Sequence, residues 1–472
     1  MLDFVKRIDA MTPEQRRALR TTLDTRGEQL NVFPLSPAQQ RMWFLNQIYG
    51  DLPLYTVPYA FWLVGRLDTG ALGEALLGLA RRHDALRTAF FDVDGVPYQT
   101  VLPDSDFRLA VRHWRPQDAA RRDLVDRLLD AEARRTFDLT RGSLVSGTVL
   151  TSGDQDDRHL LLLTMHHIIC DGWSMGIIFR EIEEGYTAVI EGREPNFEPL
   201  SVRYVDFARW QATDVNGERC QRQLRYWQDE LADPPAALTF PDRPPPSTAG
   251  LSVGELELAL WPASLARSVE ALSRAEGATP FITMLAIFAD LLRRRTGTTD
   301  FIVGTPVANR TRLEVEGLVG LFVNTLPLRL RPSGEESLRE SLRKVRSVTL
   351  RAQTHQDVPF GTIVESLGVH RTSGRNPLFE VSFIVQDRET ELLRLPGLEV
   401  SIAHGHSGTA KFDLAVGLVF LTDGLKCSIE YRRSVFDREY VRGLLDEMRE
   451  HLEAALADPD QPMGSLNGRV PR

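Results

Sequence analysis

The chain is poor in cysteine. It has three, Cys170, Cys220 and Cys427, without any CxxC spacing, so neither a disulfide framework nor a structural zinc site is indicated and a reducing, cytoplasmic setting fits. An excess of positive charge is also missing: 56 Lys and Arg stand against 65 Asp and Glu, a net charge of −9, which argues against a general nucleic-acid binder. The run Arg293-Arg294-Arg295 reads as a solvated helix face. No uninterrupted apolar stretch approaches the ~18 residues of a membrane span, and the N-terminus has no basic-then-apolar signal pattern. No nucleic acid and no membrane are therefore expected as partners. What remains is ordinary globular material, 42% hydrophobic and 26% charged over 472 residues. That length exceeds what one hydrophobic core usually serves, so two domains are expected.

One stretch concentrates titratable chemistry: Met165-His166-His167-Ile168-Ile169-Cys170-Asp171-Gly172-Trp173-Ser174. The apolar run 160–163 before it predicts a strand buried on both faces. Asp171-Gly172 signals a turn, and Ser174 is a candidate cap for a helix carrying Ile178, Ile182 and Val189. The paired histidines thus sit at a rigid strand-turn-helix junction, where an imidazole can serve proton transfer near neutral pH.

Along the chain, Thr12-Pro13-Glu14-Gln15 forms a capping-box pattern that opens a charged helix ending near Gly27, preceded by a small amphipathic piece of Leu2, Val5 and Ile8. Residues 1–30 read as linker or docking helices, or as a plain helix packed on the domain. Ser36-Pro37 opens a second helix. A strand at 60–64, a helix at 72–82, a strand at 99–102, a helix at 117–135 and the central strand make an N-terminal lobe of 31–195. The Gly, Pro and Asn residues of 192–199 suit a crossover into a second lobe, 196–472. There the pattern predicts helices at 204–210 and 222–231 and a proline-dense loop at 234–246. Helices at 262–276 and 279–295 follow, then strands at 300–307 and 322–330 and a helix at 338–354. Strands at 380–386, 413–420 and 425–431 and a helix at 438–457 complete the lobe. The alternation, with hairpin-like pieces, is that of an α/β layered fold.

Seven stretches, taken in order, carry a family resemblance. They are Ser36-Pro37-Ala38-Gln39-Gln40-Arg41-Met42-Trp43, Arg82-His83-Asp84-Ala85-Leu86-Arg87-Thr88, the His166 to Ser174 string and Tyr204-Val205-Asp206-Phe207-Ala208-Arg209-Trp210. The others are Val319-Gly320-Leu321-Phe322-Val323-Asn324-Thr325, His355-Gln356-Asp357-Val358-Pro359-Phe360 and Arg375-Asn376-Pro377-Leu378-Phe379. With them the chain resembles the condensation domains of nonribosomal peptide synthetases over almost its whole length. The resemblance implies two chloramphenicol acetyltransferase-like lobes in a V-shaped pseudo-dimer with a central tunnel. It implies an enzyme that joins a carrier-bound acyl, aminoacyl or peptidyl thioester to an acceptor amine. No cofactor would be bound by the domain itself. Phosphopantetheine arms would be delivered by donor and acceptor carrier proteins, with an adenylation domain in cis or trans. Trp173-Ser174-Met175-Gly176 and Asn324-Thr325-Leu326 look most like the subclass that accepts L-configured donors. Asp84, Gly361 and Cys170 depart from the family's commoner residues without removing a group that the chemistry needs. No adenylation segment and no carrier serine motif is visible, so the chain is free-standing or a piece of a larger synthetase.

Within that frame His167 is the catalytic imidazole and His166 a structural neighbour. Asp171 would anchor the turn by an ion pair, with Arg310 as first candidate partner and Arg87 as second. Gly172 would let backbone approach the substrate and offer an N–H to an oxyanion. Trp173, Ser174 and Asn376 are candidate substrate contacts, Asn376 being equally a loop cap before Pro377. Cys170 is read as packing, and no metal is expected because adjacent strand-end histidines point to opposite faces. The alternatives are an acyltransferase forming an ester from a carrier-bound acyl group and an alcohol, and a non-catalytic domain recruiting tailoring enzymes.

Overall fold

The computed structural model describes residues 7–8, 10–50, 52–113, 121–151, 157–215, 217–240, 243, 253–369, 375–386, 393–403 and 407–466. The chain divides into two compact units, each α/β. The first is Met1–Gly217 with Ala308–Val323 and Glu391–Ser407; the second is Glu218–Val307, Asn324–Thr390 and Gly408–Arg472. The strands are β1 (Val32–Pro34), β2 (Thr56–Val64), β3 (Thr88–Val93), β4 (Val96–Val101), β5 (Leu109–His113), β6 (Val145–Thr151) and β7 (Arg158–His166). They continue as β8 (Gly254–Pro262), β9 (Phe301–Val307), β10 (Asn324–Leu330), β11 (Val381–Gln386), β12 (Glu399–Ile402), β13 (Leu414–Phe420) and β14 (Gly424–Arg432).

In the first unit β7 lies in the middle of a sheet ordered β12-β2-β7-β6-β5. Its alternate residues explain the continuous apolar run. Leu161, Leu163 and Met165 join a core with the helices Thr69–Arg82 and Gly172–Glu191. Leu160 and Leu162 face Val125 and Leu129 of the helix Arg121–Ala133. Both faces are covered, so both side-chain sets are apolar. The two helices on the first face approach closely at Gly185, where a Cβ would come 3.2 Å from that of Ala75.

A smaller sheet, β1-β4-β3, carries the N-terminal helix Pro13–Arg26. That helix starts with the full Thr12/Gln15 capping box. Its Leu23 packs with Ile8, Val32, Phe91, Val93 and Tyr98, and the Tyr98 hydroxyl donates to Asp24 at 2.7 Å. Leu2, Val5 and residues 117–120, 241–242 and 244–246 of the expected elements lie outside the described residues.

The second unit is built on a mixed sheet, β10-β9-β11-β13-β14-β8, in which β11 runs parallel to both β9 and β13 and the other pairings are antiparallel. Its core helix, Pro280–Thr296, is buried continuously from Ile282 to Leu292. A helix apolar all round belongs in the interior. Among the described residues no single helix is long and apolar enough to cross a membrane.

The lobes expected at 31–195 and 196–472 differ from these units in three ways. Residues 7–8 and 10–30 are part of the first unit's packing. The helix Tyr204–Asp214 also belongs there, since Tyr204, Phe207 and Ala208 bury themselves in that unit's core. Finally, two distant segments return to it, one of them supplying β12 to the free edge of β2. The strand expected at 322–330 begins only at Asn324, because the Phe322 and Val323 amides donate to a carboxylate instead of to a neighbouring strand. The arginine run is not a solvated face: Arg293 pairs with Asp290, Arg294 reaches His451 and Arg295 pairs with Glu447.

Two glycines test this packing with opposite signs. A Cβ at Gly304 in β9 would enter the ring of Phe379, whereas one at Gly443, exposed in the helix Arg438–Ala457, would meet nothing within 4 Å. Gly304→Ala should lower stability by about 1–3 kcal/mol and Gly443→Ala should raise it by about 0.5–1 kcal/mol, as read by denaturant titration.

Candidate active site

Strand β7 ends at His166, and a single 3₁₀ turn, His167–Ile169, leads to Cys170 and the helix Gly172–Glu191. The two imidazoles have different partners. His166 is buried, and its Nδ1 accepts the Ile168 N–H at 3.1 Å; a ring nitrogen that accepts carries no proton. His166 is therefore spent on shaping the turn, edge-on to Phe137.

His167 is partly buried, and its Nδ1 lies 2.7 Å from the Cys170 carbonyl oxygen. A carbonyl can only accept, so Nδ1 is the donor. In the neutral ring the lone pair is then on Nε2. The His167 backbone N–H is held by the Tyr55 carbonyl at 2.8 Å, which fixes the ring's root.

Asp171, not Ser174, caps the helix: its Oδ1 accepts the Ser174 N–H at 2.8 Å and the Ser174 hydroxyl at 2.7 Å. Arg310 Nη2 approaches the same oxygen at 3.3 Å, with both side chains almost wholly buried. Oδ2 accepts the Phe322 and Val323 amides at 2.9 and 3.2 Å. A carboxylate with both oxygens so occupied organises the structure around it.

Arg310 also donates to the Leu318 carbonyl at 2.7 Å and to Ser174 Oγ at 3.0 Å, and its guanidinium lies 3.9 Å from the Phe322 ring centre. Burial pushes this guanidinium below its ordinary pKa while Asp171 works against that shift.

The structure does not bring all the expected residues to one place. Ser174, expected as a substrate contact, is buried, and its hydroxyl is engaged within the chain: it donates to Asp171 and lies 2.9 Å from the Gly320 carbonyl while accepting the Gly320 N–H. Arg87 is no partner of Asp171. It pairs with Asp84 three residues away, because the 3₁₀ turn Asp84–Arg87 sets the two side by side. Asn376 caps its own loop, Oδ1 accepting the Leu378 N–H at 3.2 Å. Trp173 is half-exposed and its indole N–H donates to the Glu316 carbonyl at 2.9 Å. A Cβ at Gly172 would meet nothing within 4 Å. Cys170 is buried with Sγ 3.7 Å from the His166 carbonyl. Among the described residues no group of His, Cys, Asp and Glu is placed to hold a metal.

Sequence reasoning assigns no role to several residues that assemble this site. Ser36 caps the helix Pro37–Tyr49 and lies 3.0 Å from the Tyr204 hydroxyl, which donates to the Leu321 carbonyl at 2.7 Å. His83 Nε2 is 2.9 Å from Glu181, and Arg82 Nε is 3.1 Å from it. Apart from the helix-opening signal at Ser36, their sequence signal is that Ser36, His83, Tyr204 and Gly320 all fall in the family's motifs.

Comparison with known proteins agrees with this geometry. The condensation domain family matches residues 29–468. The chain belongs to the condensation domain family. It is 37% identical over 437 residues to a linear gramicidin synthase of Brevibacillus parabrevis, covering 92% of this chain and 8% of that protein. It is 37% identical over 453 residues to the probable non-canonical nonribosomal peptide synthetase CymA of Salinispora arenicola, covering 95% and 6% respectively. The chain thus spans a small part of the length of these relatives. Among solved structures, the X-domain from teicoplanin biosynthesis superposes with a TM-score of 0.81 at 26% identity, covering 92% of this chain and 97% of the other. The fold of this condensation domain is therefore the two-unit, chloramphenicol acetyltransferase-like α/β fold.

Two predictions concern the network. Asp171→Ala leaves Arg310 buried without its anion and the helix without its cap, and should cost about 3–5 kcal/mol by chemical denaturation. An unchanged melting temperature would contradict the anchoring role. For Glu181, burial acts to raise the carboxyl, but hydrogen bonding from His83 and the Arg82 guanidinium outweigh it and hold it below the ordinary value. A carboxyl held low in the fold stabilises the folded state at neutral pH. That contribution is lost as pH falls through the usual glutamate range, about 4.3, towards the folded value. Glu181→Gln should therefore narrow the difference in Tm between pH 7 and pH 4.

Proposed function

We propose that this condensation domain is an acyltransferase that forms an amide bond between a donor thioester and the amine of an acceptor aminoacyl group, both carried on phosphopantetheine arms of carrier proteins. The observation that carries the reading is the tautomer of His167: with Nδ1 donating to the Cys170 carbonyl, its Nε2 can accept a hydrogen. An α-amino group has a pKa near 8, so much of it is neutral at physiological pH and attacks without a strong base. The amine nitrogen bonds to the thioester carbon, the C–S bond breaks on collapse of the tetrahedral intermediate, and His167 takes the surplus proton from nitrogen and can return it to the departing thiolate. The Gly172 amide, at the first position of the helix Gly172–Glu191, is the natural donor to the oxyanion, since the Ser174 amide is taken by Asp171.

Donor and acceptor carriers are the proposed partners, together with an adenylation domain in cis or trans, in a cytoplasmic setting. An L-configured donor is proposed from the Trp173-Ser174-Met175 string. The named relatives are a peptide synthetase and a gramicidin synthase, which favours the amide over the ester and docking alternatives.

His167→Ala tests the reading. Product would be followed by intact mass with loaded carriers, and folding by circular dichroism. The variant should stay folded and lose about 10²–10⁴ in rate, near the lower end for an amine acceptor. Wild-type turnover in the variant would remove His167 from catalysis. A wild type that binds carriers but makes neither amide nor ester would favour the docking alternative.

A further inference from the structure

The chemistry proposed above depends on Asp171 being held, and Asp171 is held in part by the amides of a segment far away in sequence. That segment, 319–323, is gripped at every residue. The Val319 N–H donates to His83 Nδ1 at 3.4 Å. The Gly320 amide donates to Ser174 Oγ, and its carbonyl lies 2.9 Å from the same oxygen. The Leu321 carbonyl accepts from Tyr204, and the Phe322 and Val323 amides meet Asp171. Gly320 has no room for a side chain, since a Cβ there would enter the Tyr204 ring. The segment therefore lies flat against its anchors.

His83 is the first anchor, and the only titratable side chain in this series besides Asp171 and Tyr204. It follows the helix Thr69–Arg82 and opens the 3₁₀ turn Asp84–Arg87, so its backbone direction is set by two elements. Its imidazole is buried. Nε2 faces Glu181 at 2.9 Å, three turns along the helix that Asp171 caps. Since a backbone N–H can only donate, Nδ1 is an acceptor and the ring proton is on Nε2, directed at Glu181. Arg82, the preceding residue, holds the other oxygen of Glu181 at 3.1 Å and the Glu198 carbonyl at 2.5 Å, which orients the carboxylate towards the imidazole.

We propose that His83 is a positioning residue for the reaction centre: bridging Glu181 and the Val319 amide, it sets the segment 319–323 whose amides hold Asp171 and, through Asp171, the helix start beside His167. This rests on the condensation reading for its consequence in turnover, but not for the bridge itself. The Arg82-His83 string is otherwise without a role in the reaction.

Two near-isosteric variants separate the halves of the bridge. An Asn side-chain oxygen can occupy the place of Nδ1 and continue to accept from Val319, while a Gln amide reaches the place of Nε2 and retains only Glu181. Amide hydrogen exchange over 315–323, read by mass spectrometry on the whole chain, should stay near wild type in His83→Asn. In His83→Gln it should rise by about tenfold. The kcat for amide formation should follow the same order, with KM little changed, while Tm should favour the Gln variant, which keeps the link to Glu181. A residue serving stability alone would make activity follow Tm instead. Equal exchange in the two variants, or a Gln variant with loosened amides and full kcat, overturns the proposal. Exchange is read without turnover. A wild type inert towards every loaded carrier would sink the condensation reading and leave the exchange comparison to judge the bridge.

Discussion

The Asp171 carboxylate is the constraint on which the rest of the site depends. It caps a 20-residue helix, neutralises a buried guanidinium and holds two backbone amides. Burying one charge is costly, and burying two is tolerable only when each is paired and its remaining hydrogen-bonding capacity is met. Asp171 meets that condition with Ser174 and the Phe322 and Val323 amides, and the Arg310 Nη atoms meet it with Asp171, Ser174 and the carbonyls of Val315 and Leu318, while the Arg310 Nε has no hydrogen-bond partner among the described residues. Arg310 lies 139 residues from Asp171 along the chain, and Phe322 lies 151 away. The electrostatics of one carboxylate thus helps decide which unit the segment Ala308–Val323 belongs to.

The histidine pair shows how neighbouring identical side chains acquire different work. In His166 the Nδ1 lone pair is occupied by the Ile168 amide; in His167 the Nδ1 proton is occupied by the Cys170 carbonyl. The first arrangement closes the turn, and the second leaves an accepting nitrogen on the other side of the ring. Both arrangements need the short 3₁₀ turn, in which amides and carbonyls come within reach of the side chains that precede them.

Rigidity beneath the site comes from β7 and its helices. The strand is paired along both edges, with β2 and β6, and covered on both faces. A junction emerging from such a strand inherits little freedom, which suits a group that must be positioned before it reacts. Phe61 and Phe179, edge-to-face at 5.3 Å, and the Gly185–Ala75 contact draw the helix Gly172–Glu191 onto the sheet. They keep its N-terminus in line with the end of the strand.

By itself the sequence determined the features whose cause is local. The capping boxes at Thr12 and Ser36 place their helices because cap and N3 side chains are three residues apart. The run 160–163 marks a core strand because apolarity on both faces is visible in four residues, and the helices Leu338–Thr354 and Arg438–Ala457 are legible from their period. The paired histidines and Asp171 are identifiable from their motif, and Arg310 from the need of a buried aspartate for a cationic partner. Tertiary structure alone decided what each does. β3, β5, β6 and β12 carry no clear sequence signal; β5 lies largely exposed, and β12 is a four-residue edge strand whose pairing with β2 depends on a distant return of the chain. Ser174 resembles a substrate contact and Phe322 a strand residue in the sequence because their partners, Gly320 and Asp171, are remote along the chain. Arg87 stands beside Arg310 as a candidate for Asp171 until the fold shows that the nearby Asp84 claims it. A backbone amide or a guanidinium carries no local mark of the acceptor it will find, and only the folded chain brings that acceptor within about 3 Å.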